Sequence, residues 1–216
     1  MAYELTCRWG QLLVMVVAIG AVVNAQTLSG SSLVRALKGG GYVLVMRHAS
    51  SPAQVPDART ADPGNTTRER QLDETGRSTS VAMGKAIKTL GIAIGEVYSS
   101  PTYRARETAR LAQFPTPMPV PELGDRGKSM QAVQPADAAW LRHRAATAPP
   151  RGTNVVVITH QPNIAAAFPH VSPTPGDGEM LVFRPDGQDG STLVGRIRID
   201  DWPHLAQGNR RLERVP

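Results

Sequence analysis

Two histidines and two arginines stand where runs of aliphatic residues end. Residues 42–46 (YVLVM) lead straight into Arg47-His48, residues 154–159 (NVVVIT) lead into His160, and residues 96–100 (EVYSS) lead through Pro101 to Arg104. Arginine presents a planar fork of donors that fits phosphate two bonds at a time, and it keeps its charge. A neutral imidazole offers a lone pair that can attack phosphorus, and nearby cations oppose its protonation. Brought together, two arginines and one histidine would neutralise the oxygens of a transferring phosphoryl group while the other histidine attacks in line. That scheme requires no metal.

Whether the four groups meet depends on the elements that carry them. Residues 33–38 (LVRALK) show a short helical pattern stopped by Gly39-Gly40-Gly41, and the order helix, glycines, strand is opposite to that of a phosphate-binding loop. Residues 49–70 lack periodicity and read as a long loop. A helix is expected from Leu72 to Leu90, with Val81, Met83, Ala86, Ile87 and Leu90 as its apolar stripe and Gly91 as its stop. A second is expected from Pro101 as its first residue, a third over residues 136–146 (ADAAWLRHRAA), and a short one from Pro162. Residues 179–185 and 191–200 read as a β-hairpin. Alternating strands and helices predict an α/β fold, a three-layer α/β/α sandwich with a mostly parallel central sheet and an antiparallel C-terminal edge hairpin. In such a sheet ligands bind at the carboxyl ends of the strands, which is where the two histidines and Arg47 stand and where Arg104 follows.

The first 25 of the 216 residues read differently from the rest: one arginine, an apolar run at residues 11–23, and a small-residue cleavage pattern at Val23-Asn24-Ala25. This is the pattern of a secretory signal peptide, so the expectation is a periplasmic or secreted protein with one domain over residues 26–216 and no stable membrane anchor after cleavage. Cys7, the single cysteine, lies before the expected cut, which leaves no thiol for disulfides or thiolate chemistry. The net charge of +6 suits an anionic ligand. Without a block of consecutive cations, and with only three Phe, four Tyr and three Trp for stacking, a nucleic-acid partner is not expected. The five histidines contain no HExxH pair and have no cysteine ligands near them, so no metal or other cofactor is expected; His143 and His204 read as surface or packing residues.

Four stretches, in order, resemble the histidine phosphatase superfamily, specifically its phosphoglycerate mutase-like branch and small secreted members within it: LVMRHAS, RQLDETGRSTSVAMGKAIKTLG, YSSPTYRARETARLA and VVVITHQPNI. The resemblance implies a phosphatase acting on a small phosphate monoester through a phosphohistidine. His48 would be the nucleophile, and Arg47, Arg104 and His160 would form the phosphate pocket. Ala49 stands where the family has glycine, which is harmless if its φ is negative.

The resemblance also implies an acid that protonates the leaving oxygen and then activates water. Asp125 sits where the branch often places a glutamate, while Glu179 opens an apolar strand downstream of His160 and is slightly preferred; Asp177 ranks third. Arg59, Arg68 and Arg70 in the long loop are candidates for binding a remote anionic group of the substrate. The alternative from another class is a non-catalytic binder of phosphorylated envelope components that uses the same pocket.

Overall fold

The computed structural model describes residues 27–54, 65, 68–125, 133–187 and 189–212. The elements are α1 (Gly30–Gly39), β1 (Val43–Arg47), α2 (Glu74–Thr89), β2 (Ile94–Ser99), α3 (Tyr103–Leu111), β3 (Met118–Pro119), a 3-10 turn at Pro121–Leu123, α4 (Pro135–Ala146), β4 (Asn154–Thr159), α5 (Gln161–Ala167), β5 (Met180–Pro185), β6 (Ser191–Ile197) and α6 (Asp201–Leu212). Six strands form one sheet in the order β3-β2-β4-β1-β5-β6. β3, β2, β4 and β1 are parallel, whereas β5 runs antiparallel to β1 and pairs with β6 as a hairpin.

Side-chain alternation along the central strands builds two cores. Leu44 and Met46 of β1 join Val156 and Ile158 of β4 on one face, against apolar residues of α1, α2, α3 and α6. Val43, Val45, Val155 and Val157 point to the other face, against α4 and α5. Each fully buried aliphatic contributes about 2 kcal/mol of transfer free energy. A one-residue slip of β1 would exchange the two faces, so packing fixes its register and with it the point where the chain leaves the sheet at His48. The layered architecture is the one expected from the sequence.

The helix boundaries differ from the sequence reading for local reasons. α2 starts at Glu74 because Asp73 caps it, accepting from the Gly76 N–H at 2.7 Å; Leu72 is buried but lies before the helix. Val81 is 47% exposed, and the buried face of α2 instead runs through Gly76, Ser80, Met83, Gly84, Ala86 and Ile87. Two glycines on this face allow backbone contact that no side chain would permit. A Cβ at Gly76 would lie 2.1 Å from the Ser50 carbonyl oxygen, and one at Gly84 would lie 2.0 Å from that of Ala112. α2 thereby presses on the segment that follows His48.

Pro101 lies outside α3, whose first residue is Tyr103, with Thr102 at the N-cap. The strand before it is Ile94–Ser99, two residues earlier in its start than EVYSS suggests. The C-terminal helix α6 was not anticipated; it buries Trp202 completely in the first core. Among the described residues no helix is long and apolar enough to cross a membrane. The expected signal peptide lies outside the described residues.

Candidate active site

The three neighbouring strands β2, β4 and β1 deliver the chemistry. Arg47 is paired in register with Thr159, so His48 and His160 leave the sheet side by side, and the His48 N–H donates to the Thr159 carbonyl at 3.0 Å. Their rings meet edge to face with centroids 5.2 Å apart. From β2, Ser100 donates its N–H to the Ile158 carbonyl, and the chain then turns into α3, whose second residue is Arg104.

Arg104 joins the groups. Its Nε donates to His48 Nε2 at 3.1 Å, and its Nη2 reaches both His160 Nδ1 at 3.1 Å and Asp125 Oδ2 at 3.0 Å. These contacts fix the tautomers. His48 Nδ1 lies 2.8 Å from the Ala49 carbonyl, so it carries the hydrogen and leaves the Nε2 lone pair facing the pocket. His160 accepts at Nδ1 and donates from Nε2 to Ser100 Oγ at 2.9 Å. Ser100 was not singled out in the sequence, where a serine at a strand end carries no signal of its own.

Both imidazoles are held neutral. Burial pushes His48 down to about 3, opposed by its bond to the Ala49 carbonyl and assisted by the charges of Arg104, Arg47 and Arg70. Burial, followed by the charge of Arg104, pushes His160 down to about 2. On unfolding, each imidazole binds a proton below its ordinary value of about 6.5. Their contribution to stability is therefore complete above that pH and is lost as the pH falls toward about 3 for His48 and about 2 for His160. At pH 4.5 this amounts to about 3 kcal/mol per histidine. Urea unfolding at pH 7 and pH 4.5 should show the drop, and His160→Gln should shrink it by one histidine's share.

Arg70 belongs to the same assembly. Its Nε donates to the Pro52 carbonyl at 2.8 Å and its Nη2 to that of Ser51 at 3.2 Å. Partial burial, then the charges of Arg104 and Arg47, lower its pKa from the ordinary value. Glu69 beside it caps α3 from outside, accepting the Tyr103 N–H at 2.6 Å, and Asn65 exchanges hydrogen bonds with the Glu69 backbone. This capping pins the end of the long loop to the helix that carries Arg104. Arg68 is exposed, and Arg59 lies outside the described residues. Ala49 is buried and is not among the residues with positive φ, so its methyl group is accommodated without backbone strain.

The three carboxylates occupy different places. Asp125 touches Arg104, and Asp177 lies 2.8 Å from Arg47 Nη2. Glu179 turns elsewhere, accepting from Arg196 Nε at 2.7 Å and from the Gly176 N–H at 2.9 Å. Burial opposes its charge, but the bonds from Arg196 and Gly176 and the charges of Arg196 and Arg198 outweigh burial and hold its carboxyl below the ordinary value. The loop that bears Asp125 is tied to β4 and α5, because Thr159 Oγ1 donates to the Leu123 carbonyl and Asn163 Nδ2 to that of Glu122. Among the described residues, no group of three His, Cys, Asp or Glu side chains is arranged to hold a metal ion.

No curated protein matches the chain. Among solved structures, the protein histidine phosphatase SixA complexed with tungstate is 19% identical, covers 74% of this chain and 98% of its own, and superposes with a TM-score of 0.54. YhfR of Bacillus stearothermophilus is 18% identical, with 70% of this chain and 94% of its own covered at a TM-score of 0.45. A phosphoserine phosphatase mutant from Entamoeba histolytica, in complex with phosphoserine, is 11% identical, with 72% and 95% covered at 0.47. The family model for the histidine phosphatase superfamily (branch 1) matches residues 43–125, the span from β1 to Asp125 that contains Arg47, His48 and Arg104.

Proposed function

We propose that this chain is a phosphatase that hydrolyses a phosphate monoester through a phosphohistidine on His48. The observation that carries the reading is the arrangement around Arg104, where one guanidinium touches the unprotonated Nε2 of one buried neutral histidine, the second buried histidine and a carboxylate. A phosphoryl group entering there takes the place of these contacts. Its oxygens then receive the forks of Arg104 and Arg47 and face His160.

In the first step His48 Nε2 forms a bond to phosphorus as the bond to the ester oxygen breaks, and the leaving oxygen takes a proton from Asp125. In the second, Asp125 takes a proton from water as the water oxygen attacks phosphorus, the P–N bond breaks, and inorganic phosphate leaves. Asp125 is better placed for this role than Glu179, because it lies on Arg104 whereas Glu179 turns to Arg196 and Gly176. We further propose that the protein acts outside the cytoplasm, a reading supported by the pattern of residues 1–25 alone.

The test is phosphate release in the presence of EDTA from an aryl ester and an alkyl ester. Asp125→Asn should lower kcat on the alkyl ester by about 10^2 to 10^3-fold. The loss should be smaller on the aryl ester, whose phenolate leaves without a proton, and Glu179→Gln should keep both rates within a few-fold. The opposite ranking of the two variants would move the acid to Glu179. Oxyanion binding without turnover of any ester would favour the binding protein over the enzyme.

A further inference from the structure

The rim of the pocket carries a charge that the phosphoryl chemistry does not use. The floor is formed by His48 and His160, which are 4% and 2% exposed. Around it stand Arg47, Arg104 and Arg70, facing Asp125 and Asp177, so three cations meet two carboxylates before any ligand arrives. Asp125 has its place in the proton transfers. Asp177 is 40% exposed at its side chain and reaches Arg47 from the opposite side of the sheet centre, on the segment between α5 and β5.

Asp177 is held beside Arg47 by the backbone on both sides of it. The Gly178 N–H donates to the His48 carbonyl at 3.0 Å, and Gly178 has φ +70 with Ile199 so close that a Cβ would lie 2.6 Å from its Cδ1. The Gly176 N–H is bound by Glu179, which Arg196 anchors in turn, and Arg196 Nη1 also donates to the Pro173 carbonyl at 2.8 Å. These contacts keep the backbone of Asp177 at the rim beside Arg47 when a phosphate binds. The part of a substrate beyond its phosphoryl group must leave the buried floor past this rim.

We infer that Asp177 is a specificity-determining residue of the phosphate pocket: a fixed negative charge on the Arg47 side that selects phosphate esters with a cationic or neutral leaving group and disfavours those with a second anionic group. This rests on the reading of the pocket as a phosphate site. A carboxylate opposite a second anion repels it, and the same carboxylate attracts an ammonium group; the effect is moderate because the rim is partly solvated.

Calorimetric binding of phosphoethanolamine and of phosphoglycolate, in the His48→Ala background so that turnover plays no part, tests this directly. The affinity ratio of the cationic over the anionic ligand should fall by about fivefold or more on adding Asp177→Asn. Raising the salt concentration with Asp177 intact should narrow the same ratio, a second reading that does not depend on how the variant folds. A ratio unchanged by both would overturn the inference while leaving the phosphate pocket intact. Failure of either ligand, and of inorganic phosphate, to bind at all would sink the pocket reading and this inference together.

Discussion

His48→Ala lowers phosphate release by about 10^5-fold, to the assay background, because it removes the Nε2 that the proposed mechanism aims at phosphorus. His160 is the nearest other imidazole, with its Nδ1 facing Arg104 and its Nε2 donating to Ser100, and the proposed mechanism has it face the phosphoryl oxygens. The same substitution abolishes any phosphoenzyme. Acid and alkaline quenching of a reaction run with radiolabelled substrate provides the check, since a phosphorus–nitrogen bond survives alkali and breaks in acid. A variant that keeps its turnover, or a labelled protein stable to acid, would remove His48 from the centre of the reaction. Oxyanion binding should largely persist in the variant, because Arg47, Arg104 and His160 remain.

Arg104→Lys should be the next most damaging change, lowering kcat/KM by about 10^2 to 10^3-fold although the charge is conserved. A lysine brings one compact ammonium group where the guanidinium contacts His48, His160 and Asp125 at once. The loss should fall on both kcat and KM, since the fork binds the ground-state phosphate and the charge of the transition state. Stability should also drop by about 1 to 3 kcal/mol, because Arg104 is 4% exposed and its buried partners lose a donor. Steady-state kinetics on an aryl phosphate together with urea unfolding separate the two effects. A lysine variant of normal kinetics would mean that charge alone, and not the fork, is used here.

How far the sequence discloses all this depends on the range of the interactions involved. The central strands were legible because aliphatic runs bounded by glycine or by charged residues have few other solutions, and the sheet-edge rule then placed Arg47, His48 and His160 together. The start of α2 was displaced by a cap: Leu72 continues the apolar pattern, but Asp73 stops the helix with a side-chain bond that periodicity does not register. The preference for Glu179 over Asp125 rested on an acid opening an apolar strand. The structure shows why that signal occurs: the acid pairs with Arg196 across the β5–β6 hairpin, a partner 17 positions away that local pattern does not reveal. Glu69 illustrates the same limit, since a charged residue in an irregular segment looks solvated until α3 arrives to be capped.

The strand order has a consequence for how the activity comes into being. β1 lies between β4 and β5, and its contacts join residues such as Tyr42 and Asn154, 112 positions apart in the chain. Contacts of that separation form late, because a long loop must close before they stabilise anything. A nascent chain that has emerged only as far as Asp125 carries His48, the proposed nucleophile, and Arg104 but lacks the strand that brings His160 and supports His48. The pocket is therefore a property of the completed sheet, and turnover measured during refolding reports the arrival of β4, not the early formation of helices.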